Sequence, residues 1–241
     1  MLNNIIVILN FHLFLLYLHL SNTINLFFME NKIVLFANMK GGVGKSTLCA
    51  TFANYLVAKG VPVVVLDADI QRSILRHRER ELEAEPGAQI PWQVQFLDTA
   101  KAKDIMPKLK KLQGVVLIDT PGNIYDANLQ HIFKAADLCL VPLTYDSDNI
   151  DSTRVFSMVV KKVSDAKLVF IPNNIVTIQE KSASVSEDRS KAYAALKELG
   201  YITPKIKQSL TVKQYSTLQP LDRYKTNAVQ YAFDPIMEML K

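Results

Sequence analysis

Six short apolar runs punctuate the chain beyond residue 30: KIVLFA (32–37), PVVVLD (62–67), VQFLD (94–98), GVVLID (114–119), LCLVP (138–142) and KLVFIP (167–172). They are rich in β-branched residues. They do not alternate apolar with polar positions, so each reads as a strand buried on both faces. Helical stretches lie between them. KSTLCATFANYLVAKG (45–60) ends on a glycine placed to cap it, and SILRHRERELEAE (73–85) is so charged that it reads as a solvated surface helix. This alternation predicts an α/β fold: a doubly wound, mostly parallel sheet with helices on both faces and right-handed crossovers. Such sheets bind ligands beyond the carboxyl ends of their strands, so the chemistry is sought in the residues that follow each run.

The first 28 residues break the pattern. MLNNIIVILNFHLFLLYLHLSNTINLFF holds no charge apart from two titratable histidines. Its apolar stretch from Ile5 to Leu20 approaches the length of a membrane span. Asn10, His12 and His19 interrupt that stretch, and no Lys or Arg flanks it to set an orientation. The basic start and small-residue cleavage site of a signal peptide are missing. The same composition arises when AT-rich non-coding DNA is translated. Residues 1–28 are therefore expected to be a mis-called start or a disordered extension, with a membrane anchor as the alternative. Residues 29–241 are expected to form one domain, starting at Met29.

Composition adds little beyond this. The net charge of +5 is compatible with an anionic partner without demanding one. Cys49 and Cys139 are far apart and form no C-x-x-C pair, which argues against a disulfide framework, a zinc site or a cluster scaffold.

Three motifs fall at strand ends. KGGVGKST (40–47) follows the first run and opens a helix. Gly41, Gly42 and Gly44 let the backbone come close to a ligand and, with Val43, turn N–H groups inward, while the helix from Lys45 adds its positive end. Lys45 is placed for β- and γ-phosphates, and the Ser46 hydroxyl for Mg²⁺. One departure stands out: the ordinary G-x4-G-K-[ST] loop has a glycine where this chain has Met39. LDADIQRS (66–73) brings Asp67 and Asp69 to the mouth of the site, where one carboxylate can orient a water. A strand-end Asp can equally cap the next helix. VVLIDTPG (115–122) places Asp119 at the end of an apolar strand, within reach of Mg²⁺ through water, and Thr120, Pro121 and Gly122 begin a loop able to sense a γ-phosphate.

Together with ADLCLVPL (136–143), these motifs resemble the ParA/MinD family of deviant Walker-A ATPases, from Lys32 to the C-terminus, and DADIQRS is more similar to the ParA branch. An N-terminal helix-turn-helix domain is not expected in these 241 residues, which makes them similar to the small ParA proteins of plasmids and mobile elements. The resemblance implies a P-loop NTPase fold and slow hydrolysis of ATP to ADP and phosphate, with Mg²⁺ as cofactor. It implies that Lys40 matches the signature lysine, which each subunit of an ATP-bridged homodimer gives to the phosphates of the other. A cation about 4 Å from a phosphate charge is worth roughly 4 kcal/mol at an effective dielectric near 20. Lys40, Lys45 and Asp69 are then the catalytic set, with Asp69 the switch carboxylate. Ser46 and, through water, Asp119 hold the metal. Thr47 lies beside the α-phosphate. IPNN (171–174) supplies an asparagine for adenine, Asn173 fitting best and Asn174 remaining possible; an Asn pair after Pro is also an ordinary turn.

The activity implied is DNA segregation or cargo positioning in the cytoplasm, on the nucleoid. The ATP dimer is expected to bind DNA without sequence preference and to be stimulated by a ParB-like or ribbon-helix-helix partner. Lys205, Lys207, Lys213, Arg223 and Lys225 are the candidate DNA contacts, in a segment with few carboxylates. The alternatives are a membrane-cycling MinD-like positioner and an accessory ATPase of a conjugative element. NAVQYAFDPIMEMLK (227–241) carries Asp234, Pro235 and Glu238, which makes it a packed terminal helix and argues against the membrane. Missing cysteine pairs disfavour an iron–sulfur carrier, and scattered tyrosines disfavour a bacterial tyrosine kinase.

Overall fold

The computed structural model describes residues 30–123, 126–176, 190 and 193–241 of the 241-residue chain; the expectation for residues 1–28 lies outside them. The strands are β1 (Lys32–Phe36), β2 (Val63–Asp67), β3 (Gln93–Phe96), β4 (Val115–Asp119), β5 (Leu138–Leu143), β6 (Lys167–Pro172) and β7 (Tyr201–Ile202). They form one sheet in the order β3-β2-β4-β1-β5-β6-β7, and every pairing is parallel. The six apolar runs thus became six strands, within about a residue or two at their ends. β7 has only two residues and too little pattern to be read from sequence.

The helices named here are α1 (Lys45–Ala58), α2 (Ser73–Ala84), α3 (Ala102–Leu109), α4 (Leu129–Ala135), α5 (Ser147–Val163), α6 (Leu210–Lys213) and α7 (Arg223–Leu240). They cover both faces of the sheet. On one face Leu35, Val116, Ile118 and Phe170 pack under Met106 of α3, Ile132 of α4 and Phe156 of α5. On the other, Phe36, Val65 and Leu117 pack under Phe52 of α1, Ile74 of α2 and Phe233 of α7. Strands buried on both faces need an apolar residue at nearly every position, which is why the runs do not alternate.

α1 stops as its sequence suggests. Gly60 takes φ +76°, its N–H bonds to Val57 O at 2.9 Å, and the N–H of Val61 bonds to Leu56 O at 3.0 Å. This pair of bonds satisfies the last carbonyls and requires a left-handed residue at 60.

α2 corrects its reading as a solvated helix. Arg78 is 4% exposed. Its guanidinium donates to Thr217 Oγ1 at 2.7 Å, to Thr217 O at 2.8 Å and to Trp92 O at 3.0 Å, and lies 4.4 Å from the Trp92 ring centre. Glu81, one turn on, accepts from Thr217 N at 2.8 Å and from the Thr217 hydroxyl. Trp92 Nε1 donates to Asn54 Oδ1 at 2.7 Å, and Asn54 Nδ2 donates to Ser216 O at 2.7 Å. Arg76, Glu79, Arg80 and Glu83 are exposed as that reading expected, but the stripe of Arg78 and Glu81 binds a returning loop instead of water.

α7 is the packed terminal helix expected from its sequence. It runs through Pro235, buries Val229, Phe233 and Ile236, and sets Phe233 edge-on to Phe52 with 4.8 Å between ring centres. Among the described residues no helix is long and apolar enough to cross a membrane.

Candidate nucleotide site

The sheet register gathers the motifs. Asp67 pairs with Asp119 across β2 and β4, and Asp119 pairs with Phe36 across β4 and β1, so both carboxylates stand beside the exit of β1. The phosphate loop begins there and runs into α1. Gly42 and Gly44 take φ +75° and +96°. Gly44 is constrained twice: besides its left-handed backbone, a Cβ there would lie 2.4 Å from Asn173 Nδ2.

Lys45, the first residue of α1, turns back across the loop and donates to Lys40 O at 3.2 Å. Burial lowers the pKa of its ammonium, while Asp119 and Asp69 pull it back up. Gly122 lies against the loop from the other side: a Cβ on it would meet Met39 O at 3.4 Å and Lys45 Nζ at 3.8 Å. The Lys40 backbone is held by Asn38. Asn38 is fully buried; its Oδ1 accepts from Lys40 N at 3.2 Å, and its Nδ2 donates to Pro142 O at 2.8 Å and Thr153 Oγ1 at 2.9 Å. The Lys40 ammonium itself makes no hydrogen bond or ion pair among the described residues.

The two carboxylates of LDADIQRS have different surroundings. Asp67 is fully buried and spends its oxygens on backbone N–H groups: Ile74 at 3.0 Å, Leu75 at 3.2 Å and Asp69 at 3.3 Å. It caps α2 from a distance in sequence. Asp69 is half-buried, with Oδ1 accepting from Gln71 N at 2.9 Å. Only Asp69 of the two is open towards the mouth, next to Ile70, which is 83% exposed.

Asp119 is the most perturbed acid. Burial, with Asp67 and Asp69 adding to it, pushes its carboxyl up to about 8, against the Ser46 hydroxyl and Lys45 ammonium. The Ser46 hydroxyl faces it, yet neither carboxylate oxygen has a partner in hydrogen-bonding geometry. A buried carboxylate left this way is costly. Two orphaned oxygens beside a hydroxyl are the hard donor set that Mg²⁺ takes with its own waters. The residues fit the metal: Ser46 would ligate it and Asp119 would hold its waters.

A cleft of about 150 Å³ continues from Gly42 and Gly44 past Thr47, Asn173 and Asn174 to Lys207, Ser209 and Lys213. The sheet edge explains the approach of the last three. Ile206 N bonds to Pro172 O at 2.7 Å and Gln208 N to Ile175 O at 3.0 Å, so residues 206–208 run alongside the exit of β6. Asn173 donates to Val43 O at 2.9 Å and so touches the loop itself. Asn174 has φ +57°, and its Oδ1 is buried without a partner. Of the five residues read as DNA contacts, Lys207 and Lys213 line this cleft, Lys205 is exposed on the segment leading to it, and Arg223 and Lys225 open α7. Asn38, Ser209 and the roles of Lys207 and Lys213 in the cleft carry no motif and were not expected.

Fold and site together define a nucleotide-binding α/β domain with a phosphate loop. The chain belongs to the family of CobQ/CobB/MinD/ParA nucleotide-binding domains, whose profile matches residues 34–216. It is 31% identical over 114 residues to protein ParA of Rhizobium radiobacter; the match covers 46% of this chain and 48% of that relative, so the chain spans about half the length of the curated relative it matches. Two solved structures share the fold. One is a candidate plasmid partition protein from Borrelia burgdorferi B31 bound to AMPPNP, at TM-score 0.66 and 17% identity over 86% of this chain and 99% of that one. The other is a chain of the MinC:MinD cell division protein complex of Aquifex aeolicus, at TM-score 0.67 and 19% identity over 86% of this chain and 96% of that one.

Proposed function

We propose that this chain is an ATPase of the ParA type that closes as a homodimer over two ATP molecules and moves or segregates DNA or another cargo. The observation that carries the reading is the division between the two lysines of one loop. Lys45 turns inward on the loop that would hold its own nucleotide. Lys40 is fixed at its backbone by Asn38, and its ammonium has no partner among the described residues. A cation fixed at the base and free at the tip suits a phosphate that arrives on a second subunit. ATP then becomes the link between subunits, because the Lys40 contribution appears only when the dimer closes.

Within this reading the β- and γ-phosphates lie on the N–H groups of residues 41–45, and Thr47 lies beside the α-phosphate. The base occupies the cleft by Asn173 and Asn174, and the buried, unpartnered Oδ1 of Asn174 becomes an acceptor for an exocyclic amine once its side chain turns towards the cleft. Asp69 orients the attacking water. Bound Mg²⁺ would neutralise developing charge on the phosphates, with Ser46 and Asp119 as its holders. The dimer binds DNA without sequence preference, and a partner protein speeds hydrolysis. The protein works in the cytoplasm on the nucleoid. Lys205, Arg223 and Lys225 remain the candidate phosphate contacts, while Lys207 and Lys213 sit where they also reach nucleotide.

Light scattering of wild type and Lys40→Ala with ATP and Mg²⁺ tests this. Wild type should double in mass while Lys40→Ala binds ATP and stays monomeric. A variant that dimerises normally overturns the role of Lys40. Anisotropy of a labelled random duplex tests the DNA step: binding should require ATP and weaken steeply with salt. Equal binding with ATP, ADP and no nucleotide overturns it.

A further inference from the structure

The face of the molecule bearing α4 and α5 carries a feature that nucleotide handling does not use. Between these helices lies a groove with a cavity of about 170 Å³, lined by Leu129 and Phe133 of α4 and by Phe156, Val159, Val160 and Val163 of α5. On its rim Val155 is 53% exposed, Met158 48% and Val159 40%. Single exposed apolar residues are ordinary; three within two turns of one helix, beside a cavity, form a patch. The spacing is helical: Phe156, Val159, Val160 and Val163 point into the groove, and Val155, Met158 and Val159 form the adjoining stripe, which Lys162 continues.

The charges around the groove are graded. Lys134 in the last turn of α4 and Lys162 in the last turn of α5 stand at one end, and both are exposed; Arg154 and Lys161 lie on the side of α5 turned away from the groove. Among the described residues none of them pairs with a carboxylate. A lysine in a last turn complements the helix dipole, and for any one of them alone that is account enough. Here the cations flank exposed apolar side chains. Asp126 and Asp151 lie towards the opposite end, and Asp126 is already committed to Thr99, to Asn128 N at 2.9 Å and to Asn128 Nδ2 at 3.0 Å.

We propose that the groove between α4 and α5 docks an acidic amphipathic helix of a partner protein. The concavity takes one large apolar side chain, which a flat lipid surface does not supply. The helix-lined walls suit anchors spaced i, i+3, i+4 and i+7. The unpaired cations select carboxylates beside those anchors, at the end of the groove where the last turns of α4 and α5 lie. The site also has a route to the phosphate loop, since Thr153 of α5 accepts from Asn38 at 2.9 Å and Asn38 holds Lys40.

The test uses the full chain and a labelled synthetic helical peptide with leucines at that spacing and glutamates flanking them, followed by fluorescence anisotropy. A second peptide has lysine for each glutamate. The glutamate peptide should bind wild type at least tenfold tighter than the lysine peptide. Met158→Asp should lose binding at least tenfold. Lys134→Glu/Lys162→Glu should lose the glutamate peptide and gain the lysine peptide. Thermal melts of both variants, expected unchanged, separate lost docking from lost folding. Equal binding of the two peptides, no binding of either, or indifference to the double reversal overturns the proposal. So does cosedimentation with phosphatidylglycerol vesicles that Met158→Asp abolishes while the peptide fails to bind; that result makes the face a membrane surface.

Discussion

Asn173 donates from Nδ2 to the carbonyl oxygen of Val43 over 2.9 Å, so the exit of β6 grips the phosphate loop. The residue expected to meet a base, which still lines the cleft, also holds the loop proposed to meet the phosphates. Asn173→Ala should therefore lower ATP affinity by about five- to tenfold, consistent with roughly 1 kcal/mol for one such bond. The loss should extend to inorganic triphosphate, which has no base. Calorimetry with both ligands decides: a loss confined to ATP would return Asn173 to base recognition alone.

Asp67 and Asp69 should part company on mutation. Asp67→Ala removes the acceptor for the first N–H groups of α2 and should lower stability by about 1–2 kcal/mol in chemical denaturation. Asp69→Ala should leave stability unchanged and retain ATP binding, while turnover falls by about 100-fold or more. If Asp69→Ala hydrolyses ATP normally, or if Asp67→Ala is fully stable, the assignment is reversed.

Lys45→Ala should lose ATP binding beyond detection in a calorimeter at micromolar concentrations, since no other described cation enters the loop from its own helix. Unchanged affinity would remove the phosphate-loop reading altogether.

Glu81 carries a pH dependence of known sign. Burial opposes its ionisation, but hydrogen bonds from Ser216 and Thr217, with His77 nearby, outweigh burial and hold its carboxyl below the usual range. A depressed pKa in the folded chain contributes stability above the unfolded value of about 4.3 and loses it as pH falls through the folded value. The melting temperature of wild type should exceed that of Glu81→Gln at pH 6, and the gap should shrink below pH 4. A gap independent of pH would mean that the carboxylate charge contributes nothing. Glu81 is half-buried at the surface and still partly screened by solvent, so the effect is modest.

The strands and the phosphate loop were legible because both rest on local pattern: unbroken apolar runs, and glycines at fixed spacing before Lys45. What sequence left open depended on side chains meeting across the fold. Asp67 and Asp69 look alike in LDADIQRS, and only the position of Ile74 N and Leu75 N separates the cap from the open carboxylate. Asn38 is an unremarkable polar residue until Pro142 and Thr153 arrive from more than 100 residues away. Arg78 hides in a run of charges, because a buried guanidinium and a solvated one share the same letter; its partner Thr217 lies 139 residues on. Lys207 reads as a surface cation until the backbone of 206–208 aligns with β6.

Trp92 is the chain's only tryptophan. Its indole is wholly enclosed, with a guanidinium against one face and an amide oxygen on its nitrogen. Excited at the red edge of indole absorption, where the nine tyrosines do not absorb, the protein's emission therefore arises from a single place, the junction where the returning loop is fastened to α1 and α2. No dye need be attached to watch that junction. Emission that shifts to the red before the backbone unfolds would report the loop coming away first, and emission that moves only with the backbone would report one cooperative unit.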